Sequence, residues 1–369
     1  MKIEKLFLEN FRNYKTAEVS FSDGQNLIFG ENAQGKTNLL EAIFYLSCLK
    51  NFHSSRDFDA VRLGESEARL CGEFEAYGRN IDIDLRIRNG SRRLLVNGVE
   101  EKRPSNHIGL IKTVVFSPDD LKLIKDGPAL RRRFLNIAIS QMRPAYIKAL
   151  AEHNKIIENK KQILKMEDGR EKYLDFLDIL DEKLAEVYSY IIRERGEFLR
   201  KSAEIISRVG EEISSGREKF TLIYSHASSV EDADDATNAE RLREHLRSRR
   251  SAELSSFSCL IGAHRDDFVT EINGKSAREF ASQGQIRSLV LALKVAEHEI
   301  LEKDSGEKPI LLLDDVLSEL DVSRRAFLIN DVSRGQTIIT GCDESMFREL
   351  LHGKIFTVSK GEIIAEDSK

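Results

Sequence analysis

Gly30-Glu31-Asn32-Ala33-Gln34-Gly35-Lys36-Thr37 fits the phosphate-binding loop pattern G-x-x-x-x-G-K-[ST], and its neighbours supply the setting that pattern needs. Residues 25–29 read as a short strand entering the loop. Residues 37–46 read as a helix leaving it, whose positive N-terminus faces the phosphates. Each fixed position has a physical task. The glycines let successive backbone N–H groups turn inward around a β-phosphate, Lys36 brings a point charge to the β/γ oxygens, and Thr37 offers a hydroxyl to Mg²⁺. A nucleoside triphosphate is the expected ligand.

A second motif lies near the far end of the chain. Pro309-Ile310-Leu311-Leu312-Leu313-Asp314-Asp315 is an apolar run closed by two carboxylates, the pattern of a buried central strand that delivers an acid to phosphate-bound Mg²⁺. Asp314 is expected to hold the metal, directly or through water. Asp315 is placed to orient or deprotonate an attacking water. The two motifs stand 278 positions apart, from Lys36 to Asp314. A compact nucleotide-binding domain separates them by one or two βαβ units, so something is inserted between two halves of one site.

Texture along the chain marks the insertion. Residues 2–8, 18–21 and 69–96 read as short alternating strands, with Asn89-Gly90 and Asn97-Gly98 as hairpin turns. After Asp126-Gly127-Pro128 the pattern becomes helical, Pro128 suiting a first turn. Ile147, Leu150, Ile157 and Leu164 form one seam. After a break at Asp168-Gly169, Leu177, Leu180, Leu184, Val187 and Ile191 form another, and together they predict an antiparallel helical hairpin. Residues 230–238 read as an exposed acidic loop and 239–250 as a short basic helix. The expected fold is therefore α/β. A head of residues 1–127 and 255–369 is split by a mainly helical insertion, a short arm, over 128–254.

Composition sets limits. Charged residues make up 32% of the 369, with a net charge of −5, so the field of the whole molecule would not attract nucleic acid. Any DNA contact must use a local basic patch. Cys48, Cys71, Cys259 and Cys342 are far apart and form no C-x-x-C pair, which argues against zinc or a disulfide framework. The opening residues begin a strand with no apolar signal region, and nowhere do eighteen apolar residues run together. A soluble cytoplasmic protein is expected.

The chain also resembles a family over its whole length. Asn10-Phe11-Arg12-Asn13-Tyr14, the loop at 30–37, Ser282-Gln283-Gly284-Gln285, and Leu313-Asp314-Asp315 followed by Ser318-Glu319-Leu320-Asp321 are similar to the ATPase heads of the ABC/SMC superfamily. Within it, residues 116–121 (FSPDDL), 127–135 (GPALRRRFL) and 264–267 (HRDD) resemble the RecF family of recombination mediators. Departures fall at Ala33 and Asp126, where glycine is usual, at Asn136, where aspartate is usual, and at Ala263, where proline is usual.

The resemblance implies a shared site. In such heads ATP is sandwiched between the phosphate loop of one subunit and the signature motif of another, so Ser282 and Gly284 would contact the partner's γ-phosphate and Asp321 would sit at the seam. Ser282 and Asp321 also fit plain helix caps. Arg12 resembles an arginine placed near the phosphates, though an exposed hairpin arginine would read the same way. The position of the transporter-type histidine falls nearest Thr340, which leaves the γ-phosphate sensor unassigned. His264 with Asp266 and Asp267 lacks usual metal-ligand spacing, and a structural turn or head-to-arm contact suits it better.

The implied function is an ATP-dependent homodimer on double-stranded DNA and at junctions between duplex and single strand. It would act with RecO and RecR to load RecA at gaps, in repair, replication and the SOS response to DNA damage, with a slow DNA-stimulated ATPase as its switch. Candidate DNA contacts are Arg131 to Arg133, the arginines at 241, 243, 247, 249 and 250, and those at 86, 88, 92 and 93. Each run also fits a solvated face paired with nearby glutamates, and Arg131 to Arg133 could instead lock arm to head. No base-reading element is visible, so recognition would be by backbone and shape. Two rival readings are an SMC-type structural head, which needs much longer coiled coils, and an ABC-head nuclease, which needs a further acidic domain. A transporter ATPase fits less well than either.

Overall fold

The computed structural model describes residues 1–51, 57–166, 170–228, 238–342 and 353–368. The break expected at Asp168-Gly169 and residues 230–237 of the predicted acidic loop lie outside them. Two six-stranded sheets build the head. The outer sheet is antiparallel and meanders from the N-terminus: β1 (Lys2–Phe11), β2 (Tyr14–Ser20), β4 (Glu67–Ala76), β5 (Arg79–Arg88), β6 (Ser91–Val96) and β7 (Val99–Glu100), in the order β2-β1-β4-β5-β6-β7. Both predicted hairpin turns form. Asn89 and Gly90 have φ of 50° and 74°, and Asn97 and Gly98 have 49° and 77°, the paired positive values of a type I′ turn.

The inner sheet draws strands from distant parts of the chain. Its order is β15-β14-β3-β13-β12-β8, from β3 (Gln25–Phe29), β8 (Thr113–Phe116), β12 (Ile310–Asp314), β13 (Thr337–Gly341), β14 (Gly353–Ser359) and β15 (Glu362–Ser368). All of it is parallel except the edge pair β14–β15. Every residue of β12 and β13 is buried, which explains their continuous apolar runs. Because β13 separates β3 from β12, the carboxyl ends of all three strands open on one crevice. Helix α1 (Lys36–Cys48) leaves β3 and packs almost wholly buried between the sheets.

The inserted region is led by helices. In it are α2 (Pro128–Ser140), α3 (Pro144–Leu164), α4 (Leu174–Ser214) and α5 (Ala239–Ser256). At 41 residues α4 runs far past the predicted seam, about 60 Å at 1.5 Å per residue. On α3 the predicted seam is buried only in its second half, at Ile157 and Leu164. Tyr146, His153 and Lys160 are buried with Ile156 and Ile157, whereas Ile147 and Leu150 are only half-buried. Those polar residues are tolerated because they are partnered. Lys160 Nζ donates to Asp181 of α4 at 2.5 Å and to Glu253 of α5 at 2.9 Å, and the two carboxylates outweigh desolvation and raise its pKa.

One strand of this region was not predicted. β9 (Phe220–Ser225) pairs along its length with β10 (Asp267–Ile272), which lies beyond the predicted arm, and β11 (Lys275–Ser276) completes the sheet. A single apolar core runs from Leu184 and Ile191 of α4 to Leu311 and Leu313 of β12. Helix α6 (Gln283–Ser305) lies in that core between arm and inner sheet.

Candidate nucleotide-binding site

Backbone geometry explains the glycines of the loop. Gly35 has φ of 119°, and a Cβ there would come within 2.5 Å of the Asn13 amide and 3.0 Å of the Tyr14 hydroxyl. A Cβ on Gly30 would meet the Val358 carbonyl of β14 at 2.3 Å. Ala33, where the resembled family has glycine, is left-handed at φ 63°, a conformation costing an L-residue about 1–2 kcal/mol. Neighbours clamp the loop from outside. Asn13 Nδ2 donates to Gln34 O at 2.8 Å, Tyr14 donates to Gly35 O at 3.1 Å, and the backbone N–H of Gly361 donates to Gln34 O at 3.0 Å.

Inside the loop, Lys36 is buried and its ammonium donates to the carbonyls of Gly30 at 2.7 Å and Glu31 at 2.8 Å, with the Cys342 sulfur at 3.3 Å. Thr37 Oγ1 donates to Asp314 Oδ1 at 2.8 Å, closing the long gap in sequence. Thr340 Oγ1 donates to the same carboxylate oxygen at 2.9 Å and accepts from the Asp315 N–H at 2.9 Å. A buried β13 hydroxyl thus aims Asp314 at the loop. Asp315 follows with φ of 52° at the start of a short helix, Val316–Glu319, and Ser318 Oγ donates to its carbonyl at 2.7 Å.

Arg12 flanks the loop with φ of 54°. Its guanidinium pairs in a fork with buried Glu41 of α1, both contacts at 2.8 Å, and donates to the Asp59 carbonyl. It is therefore bound to the helix that leaves the loop rather than directed freely at a ligand.

The remaining predicted residues stand apart. Ser282 is exposed at the N-cap of α6, where its hydroxyl accepts from the Gln285 N–H at 3.3 Å and the Gln285 side chain returns a bond at 2.9 Å. Gly284 occupies the first turn of that helix. Asp321 caps the helix Val322–Phe327 through the Arg324 N–H at 3.0 Å, and that bond, with Ser323 and the Arg324 guanidinium, holds its carboxyl below the usual range. Among the described residues the hydrogen bonds of Ser282, Gly284 and Asp321 run to their own helices, so the structure joins Lys36, Thr37 and Asp314 and leaves Ser282 and Asp321 on the exposed surface.

The conspicuous HRDD segment is a joint. Asp266 is fully buried and accepts from Tyr188 at 2.5 Å, Tyr224 at 2.7 Å, Arg195 of α4 at 2.7 Å and the Ala227 N–H at 3.0 Å. Asp267 takes Arg131 in a fork at 2.6 and 2.9 Å, while Arg132 donates to the Asp266 carbonyl. His264 reaches the Cys259 carbonyl at 3.3 Å. Both carboxylates are thus committed to cations and hydroxyls rather than to a metal. The other arginine runs are partly paired as well: Arg243 with Glu186, Arg250 with Asp178 and Asp181, and Arg92 with Asp57.

Motif reading did not supply Thr340 as a holder of Asp314, Asn13 and Tyr14 as clamps, or Cys342. The adjacency of Asn13 and Tyr14 to Arg12 was the available signal. Cys342 gave none, since its contact with the loop arises only from the register of β13 beside β3.

Taken together, the sheet order, the loop and the interrupted core define a phosphate-loop head of the ABC/SMC type carrying an inserted helical arm. The family model described as the RecF/RecN/SMC N terminal domain matches residues 2–363. The DNA replication and repair proteins RecF of Listeria monocytogenes and Agathobacter rectalis are 36% and 37% identical, each alignment covering 98% of this chain and 99% of the relative. This chain belongs to the RecF family. A solved structure of the recombination mediator protein RecF with ATP superposes with a TM-score of 0.91 at 37% identity, covering 100% of this chain and 97% of that one. The Smc head domain from Pyrococcus furiosus, at 20% identity and a TM-score of 0.57, shares the fold. Among the described residues no helix is long and apolar enough to cross a membrane.

Proposed function

We propose that the chain is an ATP-gated DNA-binding protein of recombinational repair and replication. The observation that carries this reading is the meeting of Thr37 and Asp314 at 2.8 Å beside the buried Lys36, which makes one site from the two ends of the sequence. On binding ATP, Lys36 exchanges the carbonyls of Gly30 and Glu31 for β/γ oxygens, and the loop N–H groups receive the β-phosphate. The Thr37 hydroxyl and Asp314 carboxylate are hard oxygen donors converging on one point, which suits Mg²⁺, whose charge would offset that of the phosphates. Asp315 orients the attacking water, and Arg12 braces the helix behind the loop.

Ser282, Gly284 and Asp321 act on the nucleotide of a second copy, so binding ATP and dimerising are one event. Ser282 donates to the γ-phosphate, and Gly284 allows close backbone approach at the N-terminus of α6. In this reading residues 1–127 and 255–369 form the head and 128–254 the arm. The dimer holds duplex DNA and junctions with single strands, acts with RecO and RecR to load RecA at gaps in the cytoplasm, takes part in the SOS response, and is released by slow DNA-stimulated hydrolysis. Sedimentation of wild type, Lys36→Met and Ser282→Arg with ATP, with and without gapped duplex, tests it. Wild type should dimerise and both variants should stay monomeric; a wild type that is monomeric throughout overturns the reading.

A further inference from the structure

A cavity of about 590 Å³ lies at the opposite end of α1 from the phosphate loop, between that helix, α2 and α3. Lys50, Arg92, Arg132, Arg133 and Arg195 line it, together with His153 and His264, and its lining contains no carboxylate. In a chain of net charge −5 this is a marked local excess of positive charge. Arg92 and Arg195 are balanced from behind by Asp57 and Asp266. Among the described residues Lys50 and Arg132 have no carboxylate within ion-pair distance, Arg132 donating only to a carbonyl. Lys50 is exposed at the cavity's rim, and partial desolvation there, with Arg92 and Arg133 close by, pushes its ammonium below its ordinary pKa. Among the described residues the buried Nδ1 of His264 has no hydrogen-bond partner.

The rest of the wall is apolar. Ile147 and Leu150, the two seam residues of α3 that are only half-buried, line the cavity with Ile108 and Ile137. Two cations outside any ion pair among the described residues, beside an apolar wall, suit a ligand that joins a phosphate to a flat, weakly polar body, and the volume is in the range of small-molecule pockets. Helix α1, 13 residues or about 20 Å long, separates the cavity from the ATP loop, so the two anion sites are distinct.

We propose that this cavity binds a nucleotide unit of a DNA strand, its phosphate held by Lys50, Arg132 and Arg133 and its base against Ile147 and Leu150. The inference rests on the DNA-binding reading above and identifies where a strand is gripped. A free nucleotide offers the same chemistry, and the test separates the two sources.

Binding of full-length protein to gapped duplex with ATP is measured by fluorescence anisotropy across a salt series, for wild type, Lys50→Gln, Lys50→Glu and, as a matched surface control, Lys275→Glu. Among the described residues Lys50 makes no side-chain hydrogen bond, so these variants should melt like wild type. Losing one phosphate contact should weaken binding about tenfold for Lys50→Glu at low salt and reduce the slope of log K against log salt by about 0.9, with Lys275→Glu near wild type. In parallel, equilibrium dialysis with dAMP on the Lys36→Met background, with and without Lys50→Glu, reports a free nucleotide. Loss of the DNA slope alone supports a strand; Lys50-dependent dAMP binding supports the cavity with a free nucleotide as its ligand. Unchanged DNA affinity and slope, with no Lys50-dependent dAMP binding, overturns the proposal while leaving the DNA reading intact. A wild type that binds no DNA sinks that reading instead, and the dAMP arm then decides the cavity.

Discussion

The two halves of the candidate ATP site are built in opposite ways. Around Lys36 the half is closed: Lys36 and Asp314 are buried, its groups are bonded to one another across distant strands, and its backbone is strained, with Arg12, Ala33 and Asp315 at φ of 54°, 63° and 52°. Around Ser282 and Asp321 the half is open. Both residues sit in relaxed N-cap conformations, φ −65° and −69°, and bond only within their own helices, with Phe280 and Val322 exposed beside them at 68% and 79%. Strain and mutual bonding mark a surface completed inside one chain. Exposed caps flanked by exposed apolar side chains mark one that awaits a partner.

The sharpest way to break this contrast is Lys36→Met. If the closed half alone holds nucleotide, this change should lower ATPase activity by about 10²-fold or more, the scale for removing a preorganised charge donor, and abolish nucleotide binding by the isolated chain. Ser282→Arg should leave nucleotide binding by the isolated chain within twofold of wild type and remove dimerisation. Isothermal titration of both at low protein concentration checks this; equal loss of nucleotide binding in the two variants would erase the distinction.

Acid should loosen the joint that leads to the open half. Burial pushes His153 and His264 down to about 4, and His153 accepts from the Ala263 N–H at 2.9 Å just before β10, the strand that leads on to Ser282. Unfolded imidazoles titrate near 6.5, so between pH 6.5 and 4 the unfolded chain binds more protons and stability falls as pH drops. At about 1.4 kcal/mol per unit, the buried His153 accounts for roughly 3 kcal/mol across that window. Denaturant midpoints from pH 7.5 to 4.5 measure it, and His153→Gln should flatten the profile.

Thr340→Val is expected to have a smaller effect on the closed half. It removes a hydroxyl donor to Asp314 and the acceptor of the Asp315 N–H, for a cost of about 1–3 kcal/mol. Activity should fall about tenfold with a raised Mg²⁺ requirement, read from ATPase rates across a Mg²⁺ titration, while sedimentation with saturating ATP and Mg²⁺ is restored.

What the sequence made legible follows the same division. Local chemistry was readable: the loop, the start of α2 at Pro128, the capping box at Ser282 and the turns at Asn89-Gly90 and Asn97-Gly98 all depend on residues within a few positions. Long-range placement was legible only where a motif marked both ends, as at Thr37 and Asp314. Thr340 reaches Asp314 only because β13 lies beside β12, and β9 is visible as a strand only through its pairing with β10. On α3 the apolar period held at Ile157 and Leu164 but missed Lys160 and His153, which are buried against partners from α4, α5 and the 263 turn that no pattern within α3 encodes.

The smallest effect probes the strain itself. Ala33→Gly removes a left-handed penalty of about 1–2 kcal/mol but restores backbone freedom to the unfolded chain worth about 0.5–1 kcal/mol, so a net gain of about 0.5 kcal/mol is expected. Chemical denaturation without nucleotide measures the gain. ATP affinity separates two meanings of the strain: if Ala33 holds the loop ready, glycine should stabilise the fold yet weaken ATP binding about twofold, since the free loop then has more conformations to lose. If affinity rises with stability instead, the left-handed alanine is a tolerated departure that the clamps from Asn13, Tyr14 and Gly361 override, and preorganisation of the closed half lies in those bonds alone.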